Sequence, residues 1–209
     1  MVARGIPRSV RLPIFPLHAV LFPGATLALH IFEPRYREMV GRCLAHDETF
    51  GIALIEEGEE AGPASPRPVG TEAAIIASRR HPDGRYDIVA EGRRRFEMTE
   101  LDRSRNLLVA EVRFLDEPAG REAADLAQAV GALFEGVAEA MELAGQAVVD
   151  DSWKELDPVG LSYRVAAALP GAEPLKQELL EAPDADARLR KEAELLMSIR
   201  RIGAAAGAA

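Results

Sequence analysis

The chain has 209 residues, 48 % hydrophobic, 28 % charged and only 5 % aromatic, so it can bury a core made mainly of Leu, Val, Ile and Ala, as one large domain or two small ones. Its net charge of −9 repels phosphate backbones and argues against nucleic acid as a partner, and its single cysteine, Cys43, excludes an intrachain disulfide. No apolar run of about 18 residues is present to cross a membrane, and the N-terminus MVARGIPRSVRLPIFP is too broken by prolines for a secretory signal, so a reducing, cytoplasmic location is expected.

Short strands dominate the first half. LPIF (12–15) comes first. FPG (22–24) supplies a turn, and TLALHI (26–31) alternates, with Leu27, Leu29 and Ile31 on one face and Thr26, Ala28 and His30 on the other. Glu33-Pro34 then starts a helix, with Pro34 where no N–H is needed. Tyr36, Met39, Val40, Cys43 and Leu44 form its apolar stripe, opposite Arg35, Arg37, Glu38 and Arg42. FGIALI (50–55) is another strand. GEEAGPASPRP (58–68) has little to bury and is expected to be a mobile loop. VGTEAAIIASRR (69–80), YDIVAEG (86–92), RRRFEMTEL (93–101) and NLLVAEVRF (106–114) follow as strands, with turn chemistry in HPDGRY (81–86). Their short connections favour antiparallel neighbours. Alternation prevents Arg93, Arg94 and Arg95 from pointing one way, so the run reads as solvated sheet surface with one side chain turned elsewhere.

After Asp116 the periodicity becomes helical. Asp116-Glu117-Pro118 reads as a helix start, followed by Leu126, Val130, Leu133, Phe134, Val137 and Met141 at helical spacing. Asp157-Pro158 starts a second helix, with Leu161, Val165, Ala168 and Leu169 on one face. AEPLKQELLEA forms a short third. Asp184 caps a fourth, carrying Leu189, Ala193, Leu196 and Ile199, with Gly203 as its stop. DDSWKELD reads as an acidic linker. The expected division is a β-rich unit at 1–116, a helical bundle at 117–203 and a frayed tail at 204–209. The helical half carries 9 Lys and Arg against 17 Asp and Glu, a net −8, so the acidity is concentrated there.

Catalytic signals are thin. No G-x-x-x-x-G-K-[ST] phosphate loop occurs. Ser152 and Lys154 are two residues apart and do not face each other on a helix. Cys43 and His46 have C-x-x-H spacing without the further ligands a metal site needs, and Cys43 belongs to the apolar stripe. His18 and His30 lie in different segments, and His30 reads as a surface or hydrogen-bonded histidine. The glutamates at 56, 57, 59 and 60 read as a solubilising charge run, because a solvated loop does not push carboxyl pKa values apart. No catalytic residue, cofactor or metal site is assigned.

LPIFPLHAVLFPGATLALHIFEPRYREMV nevertheless resembles the opening of the Lon protease N-terminal domain family, with L-P-x-F-P-L, F-P-G and I-F-E-P-R-Y-R-E-M in order. VGTEAAI, PDGRYDIVAEGRRRF, DPVGLSYRVAAALP and LKQELLEAPDADARL extend the likeness over roughly residues 11–200. The resemblance implies an α+β fold: a compact, mostly antiparallel, PUA-like pseudo-barrel with one helix, then a small α-helical bundle. It also implies a bacterial, stand-alone, non-catalytic module, without ATPase or peptidase, that engages unfolded or specific polypeptides, alone or with a separate protease or chaperone. The contact would be an exposed apolar patch or an open strand edge. Candidates are Phe22 and Pro23 at the turn and Phe32, Glu33, Arg35 and Tyr36 at the helix start. Core packing competes with contact for Phe32 and Tyr36, and Arg35 is expected outside. The alternative is a regulatory or ligand-binding docking module using the acidic helical half. A weak homodimer would cover exposed strand edges.

Overall fold

The computed structural model describes residues 10–60, 64–143 and 151–206. They form two compact units, divided between Leu115 and Asp116. The first contains β1 (Val10–Leu17), β2 (Thr26–Ile31), α1 (Pro34–His46), β3 (Phe50–Gly58), β4 (Ala64–Pro66), β5 (Val69–Arg80), β6 (Tyr86–Asp102) and β7 (Leu108–Phe114). β1, β7, β6, β5 and β3 pair antiparallel in that order, and a parallel pairing of β1 with β3 closes the ring. The fold is therefore α+β, with an antiparallel sheet and one helix ahead of several helices. β2 lies outside the ring, paired with the first half of β6, and β4 pairs with β3.

Alternation in β1 divides the interior. Leu12 and Ile14 join Ala53, Phe96, Ala110 and Val112 in one cluster. Phe15 and Leu17 turn the other way, into a larger cluster with Phe50, Ile52, Ile88 and the helix residues Tyr36, Met39, Val40 and Cys43. Strand packing is tight enough to require glycine at position 70, where a Cβ would stand 2.5 Å from the carbonyl oxygen of Ile52. The α1 stripe is buried as its spacing predicts, except Leu44, which is exposed. At 100° per residue, about 80° separates it from Tyr36, which puts it on the flank.

The predicted strands at 86–92 and 93–101 are one long strand. A register shift opposite Thr71 and Ala73 sets Arg93 and Arg94 in a bulge, where both are exposed, while Arg95 is buried. The expected loop at 58–68 is partly ordered. Ala64–Pro66 is a short strand because Ala64 and Pro66 are buried against the sheet, whereas 61–63 lie outside the described residues.

The second unit contains α2 (Ala123–Leu143), a 3-10 turn (Asp151–Glu155), α3 (Pro158–Ala168), α4 (Glu173–Leu180) and α5 (Ala185–Ala206). Asp157 caps α3, its Oδ1 accepting from the Gly160 N–H at 2.7 Å, and Asp184 accepts from the Ala187 N–H at 2.8 Å. Three expectations are corrected. No helix begins at 116–118: Glu117 accepts from the Tyr163 hydroxyl, and the Pro118 carbonyl accepts from the Ala185 N–H at 3.1 Å, so this segment is spent on α3 and α5. The acidic linker is a structured turn, because Trp153 is buried edge-on against Phe134 at 5.4 Å. And α5 continues past Gly203 to Ala206. Val130, Phe134, Leu161, Val165, Leu189 and Leu196 build the core, together with a buried Arg188 and Glu192. Among the described residues no helix is long and apolar enough to cross a membrane.

Candidate functional site

Two residues join β2 to α1. Ile31 is buried as the last strand residue, and Phe32 turns outward, 57 % exposed. Glu33 is the N-cap, in extended conformation with no side-chain cap; its carbonyl accepts from the Tyr36 and Arg37 N–H groups, and Pro34 follows inside the helix.

The six sequence candidates separate sharply. Tyr36 is core: it stacks on Phe15 at 4.1 Å, and burial pushes its phenol up to about 12. Phe22 is core too, at 1 % exposure, so it offers no side chain to a partner, and Pro23 is half-buried. Arg35 is not the solvated cation expected. Its Nε donates to Glu33 at 3.0 Å, Nη1 to the Asn106 carbonyl at 3.1 Å and Nη2 to the Glu60 carbonyl at 2.9 Å, and its guanidinium lies over Tyr36. It ties the helix start to two loops, and Glu33 is held in the same clasp. Of the six, Phe32 alone presents a large exposed apolar side chain.

Phe32 continues the outer face of β2, where Thr26, Ala28 and His30 are exposed and His30 stacks on Phe32 at 6.4 Å. β2 pairs with β6 and with no other strand among the described residues, so its second edge is open. On the paired side of β2, a groove of about 510 Å³ lies across β2, β6 and β5, lined by Ala28, Leu29, His30, Ala77, Arg79, Asp87 and Val89.

Sequence reading missed what surrounds Asp87. It is the register partner of His30 across β2–β6 and of Arg79 across β5–β6. Its Oδ1 contacts His30 Nδ1 at 2.6 Å, and its Oδ2 contacts His81 Nε2 at 2.7 Å and Arg79 Nη2 at 2.5 Å. Hydrogen bonds from His30, Arg79 and His81, in that order, hold its carboxyl well below the usual carboxylate range. The signal in the sequence was the pairing register, which brings position 30 opposite 87 and which no single segment reveals.

Elsewhere the weak catalytic signals do not converge. Lys154 is ion-paired with Glu135 and Asp151. Cys43 is buried while His46 is exposed, and burial pushes the thiol up to about 11. Two of the loop glutamates are engaged: Glu56 pairs with Arg67, and Glu60 accepts from the His18 N–H at 2.8 Å.

The ATP-dependent protease La (Lon) substrate-binding domain matches residues 11–198. The Lon protease of Phenylobacterium zucineum is 28 % identical, over 93 % of this chain and 25 % of its own length, and that of Escherichia coli K12 is 25 % identical, over 86 % and 24 %. This chain thus spans about a quarter of the length of the curated relatives it matches. A crystal structure of a Lon N-terminal domain protein from Xanthomonas campestris is 32 % identical, with a TM-score of 0.63 over 87 % of this chain and 96 % of that one. The N-terminal domain of the Mycobacterium avium complex Lon protease shares the fold at 21 % identity, with a TM-score of 0.71 over 90 % of this chain and 98 % of that one. The chain belongs to the Lon substrate-binding domain family.

Proposed function

We propose that this chain is a non-catalytic, cytoplasmic polypeptide-binding module that takes an extended segment of unfolded protein along the open edge of β2, with Phe32 as the apolar anchor. The observation that carries this reading is a strand, β2, that pairs on one side alone among the described residues and is followed directly by a phenylalanine that is 57 % exposed. An edge strand offers main-chain hydrogen bonds that are indifferent to sequence, and an adjacent apolar side chain favours clients with exposed hydrophobic residues. Family membership supports polypeptide binding in general terms. The ring strands and the Arg35 clasp serve as the rigid frame.

The test is a titration of labelled, unfolded casein against the chain, with a folded protein as control. Saturable binding of the unfolded protein alone is expected, at tens of micromolar. Phe32→Ser should weaken it about tenfold, the equivalent of 1.4 kcal/mol, without altering stability. Equal binding of folded and unfolded proteins, suppressed by salt, would instead favour a docking role for the acidic helical unit.

A further inference from the structure

A second cluster of chemistry-bearing side chains lies across the β2–β6 pairing, on the side of β2 away from its open edge, and polypeptide binding does not require it. His30, His81 and Asp87 come from three places, namely β2, the β5–β6 turn and β6. Their ligand atoms lie within 4.8 Å of one another. The carboxylate already divides its oxygens, Oδ1 toward His30 Nδ1 and Oδ2 toward His81 Nε2. We infer that these three side chains form a binding site for a divalent transition ion of the zinc class.

The donor set decides the class. Two imidazoles and one carboxylate suit zinc, cobalt, nickel or ferrous iron, whereas magnesium and calcium call for oxygen ligands throughout. In a tetrahedral site with bonds of about 2.0–2.1 Å, neighbouring ligand atoms stand about 3.4 Å apart. The two histidine–aspartate contacts, at 2.6 and 2.7 Å, must therefore open slightly, while the three ligand atoms already lie within 4.8 Å of one another. Three protein ligands leave at least one position for water or for a donor atom on a bound client.

The supporting backbone is held in place. His30 and Asp87 are a direct cross-strand pair. The turn carrying His81 is closed by the His81 N–H donating to the Arg85 carbonyl at 2.8 Å and the Gly84 N–H donating to the His81 carbonyl at 2.9 Å. Arg37 of α1 donates to the Asp83 carbonyl at 3.1 Å and packs on Gly84, where φ is 82° and a Cβ would meet the guanidinium at 2.1 Å. Pairing register and this clamp fix the ligand-bearing positions ahead of any ion.

Two arginines compete with the ion. Arg79 grips Asp87 Oδ2 at 2.5 Å, but its side chain is 75 % exposed and can swing away. Arg85 reaches His30 Nε2 at 3.3 Å and also holds Asp83 at 2.6 Å, so it keeps a partner when it leaves the histidine. With the ion on Nδ1, the neutral His30 ring keeps its one proton by carrying it on Nε2. The arginines thus moderate the affinity, and Arg79→Ala should raise it.

The test titrates the metal-free chain, without a polyhistidine tag, with Zn²⁺ by calorimetry and with Co²⁺ by visible absorption, whose band intensities report coordination number. One equivalent with a ligand-field spectrum is expected. His81→Ala and Asp87→Asn should each weaken uptake about 10- to 100-fold or more, since partners one layer out from a metal already cost that much. Arg79→Ala should strengthen it, and a joint His18→Ala, His46→Ala variant should leave it unchanged. No saturable uptake below about 1 mM, uptake indifferent to Asp87→Asn and His81→Ala, or uptake lost with His18 and His46 would overturn the site. Weaker uptake in Arg79→Ala would overturn the competition assigned to that arginine. The measurement is independent of casein binding.

Discussion

Replacing Glu192 by Leu should stabilise the helical unit, and more so at pH 8 than at pH 4. Glu192 is fully buried in α5, and neither carboxyl oxygen has a hydrogen-bond partner. Arg188, one turn earlier, does not supply one: its Nε donates to the Leu179 carbonyl at 3.0 Å, Nη1 to Ser162 Oγ at 2.8 Å and Nη2 to the Tyr163 hydroxyl at 3.0 Å. Burial therefore raises the Glu192 pKa well above its ordinary value, against the opposing charge of Arg188. The folded state keeps a proton that the unfolded chain releases near pH 4.3, so the contribution of Glu192 to stability is greatest below that pH and is lost as pH rises toward the folded pKa. An unpartnered buried polar group costs about 1–3 kcal/mol, and leucine of similar volume removes that cost without opening a cavity. The expected gain is thus about 1–3 kcal/mol at pH 4, where the neutral carboxyl is already unpartnered, and larger at pH 8, where the unfolded chain is further favoured by ionising. Urea unfolding followed by the fluorescence of Trp153, the one tryptophan in the chain and buried in this unit, measures it. A less stable variant at pH 8, or a gain identical at both pH values, would refute the reasoning and imply that the carboxylate is ionised and usefully paired.

Two further outcomes test the first unit. Cys43, buried and with its thiol pushed up to about 11, should resist alkylation at pH 8 in the folded protein and react rapidly once urea unfolds it; native-state reaction at the rate of a free thiol would contradict its placement. Gly70→Ala should lower stability by about 1–3 kcal/mol in chemical unfolding, because the added methyl meets the Ile52 carbonyl at 2.5 Å, and an unchanged midpoint would show that β3 and β5 can separate there.

Elements whose residues answer to their own period were legible from sequence. TLALHI became β2 and VGTEAAIIASRR became β5 with their predicted ends, and the α1 stripe was buried as far as Cys43. What depends on distant partners was not. Nothing near Trp153 signals that Phe134 will bury it, and nothing near Ala64 signals the edge of β3. Phe32 and Tyr36 are four residues apart in one motif, yet the outward turn after Ile31 exposes the first while the helix phase buries the second. Arg35 looked solvated because the carbonyls that claim it, at 60 and 106, sit far along the chain. The Asp87 cluster was hidden for the same reason.

The closed ring has a consequence for how the protein is made. β1 takes β3 as a parallel partner on one side and β7 on the other, with Val10 opposite Val112, about a hundred residues later. A ribosome releases this chain from its N-terminus, so β1 waits with one edge unmatched until residues 108–114 have emerged. Until then the nascent protein carries two further exposed strand edges besides β2, those of β1 and of the second half of β6, and the first unit cannot complete before most of its own length is synthesised. A module proposed to hold unfolded chains would itself, in this interval, present the same open backbone that it is built to recognise.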